Sequence, residues 1–503
     1  MGDSGPTTPA AQVFARGCLE GGNRPFRERS YWLLFSRLIA LSRKSFDRLP
    51  TKEEWIRFQK YARGMRKLKV DASKDLIALN VLPALQLRTG DEPLLPGLRA
   101  FECELVSEAF APFIPLFLSP RTVKINIKFT VNAVTAVMVA STITQFSTLC
   151  PNIQHLVLDT IPRNRVITES VSEMLLACNR NALQVFHACC PLTEEAHRFL
   201  HTLPKLRSLR VSTQGRTSLP PLVLPDINTI HIEWHSGRDW LQGFRGATIG
   251  KLRVITFSLR GTAQIGGFFE AFQSVALATS FQNTLSVFGL FTSESWSPNY
   301  SSLLVFNQMT RLEIQFSCRN GCSSTVDDDI ITSLARAMPK LEILRLGKAP
   351  CSALTGVTLK GLVALARHCP KLSELRVHVQ ATELGEATTS TEPPRPPGNT
   401  AVTPQTDCAL TVLQVGEAPI PPAVTPAVAL TLFKVFPRIL NIEHTNPRWG
   451  SVVEMIKLFR RVGGHVDHTS KAYLLYLECS LVTLHRETHS CRNLSTNRTR
   501  QCL

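Results

Sequence analysis

CPNIQHLVL at Cys150–Leu158 and CPKLSELRV at Cys369–Val377 are two copies of one template. After a Cys-Pro boundary, an aliphatic residue is followed by two intervening positions, a Leu, one more position and a second aliphatic. MPKLEILRL at Met338–Leu346 and LPKLRSLRV at Leu203–Val211 repeat it. Looser copies place apolar residues at Ile227, Ile230 and Ile232, at Leu252, Ile255 and Phe257, at Met309, Leu312 and Ile314, and at Leu410, Leu413 and Val415. Upstream, the frame fits Met65, Leu68 and Val70, and then Leu98, Phe101 and Cys103. Taking the middle apolar residue as the mark gives fourteen copies, at 68, 101, 125, 156, 186, 209, 230, 255, 288, 312, 344, 375, 413 and 442. The spacing averages about 29 residues, at the upper edge of the leucine-rich repeat range.

Within each copy the last two apolar residues alternate, which requires a short strand with both side chains on one face. Helical patterns lie between copies. DDDIITSLARAM, from Asp327, opens with acidic residues suited to a helix N-terminus, and GVTLKGLVALARH places Leu359, Leu362, Val363 and Leu365 at helical spacing. One strand-turn-helix unit cannot bury its own apolar face, so neighbouring units must stack around a shared ribbon of core. The expected fold is therefore α/β, a leucine-rich-repeat solenoid with a curved parallel sheet inside, helices outside and a short helical N-terminal segment. The expected boundaries are a disordered stretch at 1–29, a helical segment at 30–66, the solenoid at 67–464 and an irregular basic tail at 465–503. Within the solenoid, 385–406 is read as a disordered Pro-rich insertion, because it has five prolines and no aromatic.

The chain has 503 residues, a formal charge of +17 and 44% hydrophobic residues. The charge is concentrated at the ends: residues 16–75 contribute +9 and 457–503 contribute +5, leaving +4 for 76–456. A contiguous basic stripe, the footprint of phosphate binding, is not visible along the sequence, and the expectation weighs against nucleic acid. Fourteen irregularly spaced cysteines are not a small disulfide framework, and the first thirty residues have no apolar core of leader length. A reducing compartment, cytoplasmic or nuclear, follows as the expectation. The uncharged run from Phe129 to Leu158 is rich in Ser, Thr, Asn and Gln and reads as buried helix, with no membrane partner.

Between Ser30 and Val70, Thr51 and Glu54 form a capping box, and Trp55, Phe58, Tyr61 and Ala62 share a helical face. Trp55, Arg57, Phe58, Tyr61, Ala62 and Arg63 spell a Trp-x-Arg-Phe-x-x-Tyr-Ala-Arg helix. With the repeats that follow, this segment resembles fungal F-box proteins with leucine-rich repeats, over roughly residues 30 to 463. The resemblance implies a substrate receptor of a cullin ubiquitin ligase, in which the F-box binds the ligase's linker subunit and the repeats hold the substrate protein. The stretch before Tyr31 departs from the pattern: it is short, polar and rich in Gly and Pro, with no F-box in it. The linker subunit is a partner only if an F-box is restored upstream.

Catalytic and metal motifs are weak. His485, Glu487 and His489 lack zincin spacing, Cys318 and Cys322 have no second pair, and GATIGK at Gly246–Lys251 misses phosphate-loop spacing. Asp327 to Asp329 read as a helix start in preference to a cation site. The expectation is no enzyme, no cofactor and no metal. The residues alternating with the buried pairs form the candidate partner-binding face: Arg210, His231, Glu233 and Thr256 in the earlier copies, then Glu313, Gln315, Arg345, Glu374, Arg376 and His378. Their mixed signs suit an unidentified substrate protein, so the expected function is a non-enzymatic protein-binding scaffold, F-box-type or F-box-less. The alternative is nucleic-acid or ribonucleoprotein binding through the basic N-terminal segment. Aromatic residues at Trp234–Phe244 and Phe291–Tyr300 lie in loops at the strand edge and serve either as anchors of an interface or, equally, as packing over the end of the core.

Overall fold

The computed structural model describes residues 51–71, 81–90, 92–106, 110–129, 136–161, 164–213, 224–234, 249–259, 268–279, 281–292, 299–316, 326–347, 356–381 and 408–463. The expectations placed on 1–29, 30–50, 385–406 and 465–503, and on Cys318, Cys322, His485, Glu487 and His489, lie outside these residues.

Fourteen strands are found among them: β1 Lys67–Asp71, β2 Ala100–Val106, β3 Lys124–Phe129, β4 His155–Asp159, β5 Val185–Ala188, β6 Ser208–Thr213, β7 Thr229–Trp234, β8 Val254–Leu259, β9 Val287–Thr292, β10 Arg311–Phe316, β11 Ile343–Leu346, β12 Glu374–Arg376, β13 Val412–Gly416 and β14 Asn441–His444. The helices are α1 Lys52–Ala62, α2 Val81–Thr89, α3 Ile114–Phe117, α4 Ala136–Leu149, α5 Arg165–Leu176, α6 Glu194–Leu200, α7 Phe268–Thr279, α8 Asp328–Ala337, α9 Leu359–His368, α10 Thr425–Val435 and α11 Arg448–Gly463.

The chain divides into two compact units, Met1–Ala196 and His197–Leu503. In the first, β1 to β5 form a parallel sheet in chain order, and Leu68, Phe101, Ile125, Leu156 and Phe186 stand opposite one another at matched register. In the second, β6 to β14 do the same, aligning Leu209, Ile230, Ile255, Phe288, Leu312, Leu344, Leu375, Leu413 and Ile442. Each mark of the repeat is therefore a rung of a sheet, and all fourteen are buried. At roughly 1.5–3 kcal/mol per fully buried aliphatic or aromatic side chain, the rungs are a principal source of stability.

Helices cover the face to which the marks point. In the second unit Phe257 of β8 meets Phe268 of α7 edge-on at 5.1 Å, and Phe272 lies 5.2 Å from Phe288 of β9. Helices pack on helices as well, α4 on α5 in the first unit, and α8 on α9 and α10 on α11 in the second.

The strand starts repeat as regularly as the cores. The carbonyl two residues before one mark accepts two backbone N–H bonds from the next copy. Thr310 and Arg311 donate to Ser286 at 2.7 and 3.0 Å, and Glu342 and Ile343 donate to Thr310 at 2.7 and 3.0 Å. At the Cys-Pro boundaries, Cys150 donates its thiol to the Ser119 carbonyl and Cys369 to Ala335, both sulfurs sitting where a small apolar residue would fit.

Local sequence explains the helix starts. Thr51 and Glu54 make the expected reciprocal capping box of α1. Phe58 and Ala62 bury the inner face of that helix, whereas Tyr61, expected beside them, is 39% exposed. Only the middle of the uncharged run is helical: Ala136–Leu149 is α4, whose Thr142 hydroxyl donates to the Met138 carbonyl one turn back, whereas Phe129 ends β3 and His155–Leu158 belongs to β4. No described helix is long and apolar enough to cross a membrane. Asp327 caps α8 by accepting from the Ile330 N–H at 2.8 Å. Asp328 reaches the next helix: its Oδ1 accepts from the N–H groups of Thr358 and Gly361 at 2.8 and 3.0 Å, and its Oδ2 from the Thr358 hydroxyl at 2.6 Å. The acidic run thus starts one helix and fastens the next, and no group of three His, Cys, Asp or Glu placed to hold a metal ion occurs among the described residues.

Candidate functional site: the open face of the second sheet

Because side chains alternate along a strand, the residues one before and one after each mark share the sheet face turned away from the helices. Reading one after the mark across β6 to β14 gives Arg210, His231, Thr256, Gly289, Glu313, Arg345, Arg376, Gln414 and Glu443. Register therefore brings most of the expected partner-binding residues into a single row.

The row has two charged ends with a neutral stretch between them. At the β6–β7 end, Arg210 Nη2 donates to Glu233 Oε1 at 2.8 Å, and Ser258 Oγ lies 3.5 Å from His231 Nε2. His231 Nε2 is 4.0 Å from the same carboxylate oxygen. The hydroxyl and the carboxylate thus face one imidazole nitrogen, whereas a Ser-His-acid relay needs one on each.

At the β10–β12 end, Glu313 Oε2 accepts from Arg311 Nη2 at 2.7 Å, and its Oε1 accepts from Arg345 Nη1 at 2.9 Å and from Gln315 Nε2 at 2.6 Å. Burial alone would push the Glu313 carboxyl up. The hydrogen bonds and charges of Arg311 and Arg345 outweigh that and hold it below its usual range. The hydrogen bonds that Arg345 donates to Glu374 are the main cause that raises its guanidinium pKa above the usual value. Arg376 Nε donates to Gln414 Oε1, a neutral acceptor, so Arg376 is the one guanidinium of this ladder without a carboxylate partner among the described residues.

Between these ends lie Thr256 and Gly289. A Cβ at Gly289 would come within 3.1 Å of Thr256 Cγ2 and 3.3 Å of the Phe291 ring, so only glycine lets both lean over the strand. Thr256, Ser258 and Phe291 are half-buried.

Three expectations about this face change. Glu233 and Glu313 are only 4% and 6% exposed, so they anchor their neighbours and cannot themselves touch a partner. His378 lies beyond the end of β12, and burial lowers its pKa against a smaller opposing effect of Glu417. Tyr300, read as a possible loop anchor, is buried against Phe269. Trp234 ends β7, and residues 235–244 lie outside the described set.

Sequence reading missed Arg311 and Gln414, which complete the ladder. Each sits one position from a mark, and comparing copies position by position would have found both.

The first unit has a smaller version of the arrangement. Glu102 pairs with Lys67 at 3.2 Å and Lys124 at 3.1 Å, and Lys69 pairs with Glu104 at 2.7 Å.

No family matches the chain, and no curated protein does. Among solved structures, a protein from Bacteroides fragilis is similar at 11% identity and a TM-score of 0.32, over 59% of this chain and 82% of that one. A likeness at that score supports no conclusion about fold or function.

Proposed function

We propose that the stacked strands and helices are a leucine-rich-repeat solenoid and that the protein is a non-enzymatic scaffold, holding a protein partner on the concave, helix-free face of its repeats. The observation that carries this is the pre-organised row from Arg210 to Gln414. Its buried carboxylates are neutralised within the sheet, which leaves Thr256, Ser258, Phe291 and Arg376 partly exposed on the same face. A face whose buried acids are already paired costs little to desolvate on contact, and a partly exposed aromatic on one strand with an arginine of neutral partner three strands away suits a polar protein surface.

In the receptor reading, the scaffold serves a cullin ubiquitin ligase or is an F-box-less relative of such receptors. The test is quantitative affinity purification of the full chain against Thr256→Arg, which blocks the neutral stretch, and Val166→Arg, which alters an exposed position on α5. A partner lost with Thr256→Arg and kept with Val166→Arg supports the scaffold; partners recovered equally with both variants overturn it. Recovery of the ligase's linker subunit with the full chain tests the ligase role separately.

A further inference from the structure

Because every strand in the second unit runs the same way, all the residues preceding the strands lie along one edge of the sheet. Four residues before the marks stand Lys205, Asp226, Lys251, Thr284, Gln308, Lys340, Lys371, Ala409 and Arg438 in turn. All five cations of this row are exposed. Two residues before the marks, Arg207 and Arg253 are also exposed, against a single acid, Glu342.

Backbone bonds hold these positions side by side: Asn228 N–H donates to the Arg207 carbonyl at 2.8 Å, and Arg253 N–H to the Asn228 carbonyl at 2.9 Å. Neighbouring side chains in the outer row touch, Lys251 to Asp226 at 2.8 Å and Lys340 to Gln308. Lys205, Arg253, Lys371 and Arg438 have no ion-pair partner among the described residues. Nine strands at about 4.8 Å each make this a rim of roughly 40 Å.

The repeat does not require cations here. In the first unit the outer position holds Gly64, Gly97, Arg121, Asn152 and Ala182. The near-neutral balance of residues 76–456 hides the rim, because topology collects cations that lie far apart in sequence.

We propose that this rim docks an acidic segment of a protein partner. Charge complementarity sets the sign, and two observations favour a polypeptide over nucleic acid. Asp226 and Glu342 interrupt the rows, and a phosphate backbone with a charge every few ångströms would meet them, whereas a peptide can place its carboxylates around them. Neither row contains an aromatic residue on which a base could stack. The rim is distinct from the open face, so this inference stands or falls independently of the scaffold reading.

The experiment titrates the full chain into a fluorescent oligoglutamate peptide and, separately, a fluorescent DNA duplex, at increasing salt. Arg207→Glu, Arg253→Glu and Lys371→Glu are combined in one variant. Lys52→Glu, Arg57→Glu and Lys60→Glu on exposed positions of α1 make the same charge change elsewhere. The expected result is salt-sensitive peptide binding, weakened about tenfold or more by the rim variant and less than about twofold by the α1 variant. The corresponding Gln variants, with circular dichroism unchanged, show that the loss is not unfolding. Equal losses in both variants, tighter binding of the duplex than of the peptide at the same salt, or no peptide binding would overturn the proposal.

Discussion

Arg345 grips Glu374 across neighbouring strands with two near-parallel hydrogen bonds, Nε to Oε1 at 2.7 Å and Nη2 to Oε2 at 2.9 Å, while its remaining nitrogen holds Glu313. One guanidinium thereby ties β10, β11 and β12 on the face opposite the core. Arg345→Met should leave Glu313 and Glu374 short of donors and cost about 2–3 kcal/mol, read as a lower urea midpoint. Arg345→Lys keeps the charge without the fork and should recover only part of the loss.

Leu344 is fully buried between Leu312 and Leu375 at matched register. Leu344→Ala should cost about 2–5 kcal/mol through lost transfer energy and the cavity left behind. Leu344→Asp should abolish cooperative unfolding of the surrounding copies, because the charge would be buried without a partner. Unchanged thermal unfolding of the Asp variant would show that the repeat assignment is wrong.

Asp328 should behave as a fastener between helices. Asp328→Ala removes three hydrogen bonds to Thr358 and Gly361 and should cost about 1.5–3 kcal/mol. Gly361→Ala should also destabilise, since its Cβ would come within 2.5 Å of the Asp328 carboxylate. Faster hydrogen exchange at the Gly361 amide in the Asp328 variant is the direct readout, and added calcium should leave the wild-type melting temperature unchanged.

His197 of α6 is 6% exposed, and burial, with a smaller effect of His201, pushes its imidazole pKa down to about 4. Unfolded, it titrates near 6.5. A depressed folded pKa means its contribution is fully present above about 6.5 and is lost as pH falls towards about 4, because the unfolded chain takes up the proton first. Between pH 7 and 5 the wild type should lose about 2 kcal/mol that His197→Phe does not lose. Urea midpoints of the two proteins across that range check the sign and the size.

Burial pushes the thiols of Cys150, Cys178 and Cys369 up to about 12. They should resist iodoacetamide at pH 8 in the native protein and react rapidly in denaturant, as peptide mapping by mass spectrometry would show. Labelling of native Cys369 at the rate of a free thiol would contradict its packing against the Ala335 carbonyl.

Periodicity made the rungs legible without coordinates. Leu156, Leu209, Leu344 and Leu375 announce themselves because a strand must turn alternate side chains to one face, and a short strand-helix unit must share its core with the next. Capping chemistry was equally local, so Thr51, Glu54 and Asp327 could be read from a few neighbouring residues. What only the tertiary structure decided depends on register between strands some 21 to 38 residues apart in sequence. Glu313 looks like a surface acid in its own copy, where Arg311 and Gln315 flank it, and becomes a buried anchor tied across strands only when Arg345 stands beside it. Lys205, Arg253 and Lys371 are unremarkable along the chain and form a charged rim only because nine parallel strands start at the same edge. The apolar pattern is encoded within each copy; the ion pairs that cross from copy to copy, such as Arg345 with Glu313 and Glu374, exist only because register sets the strands side by side.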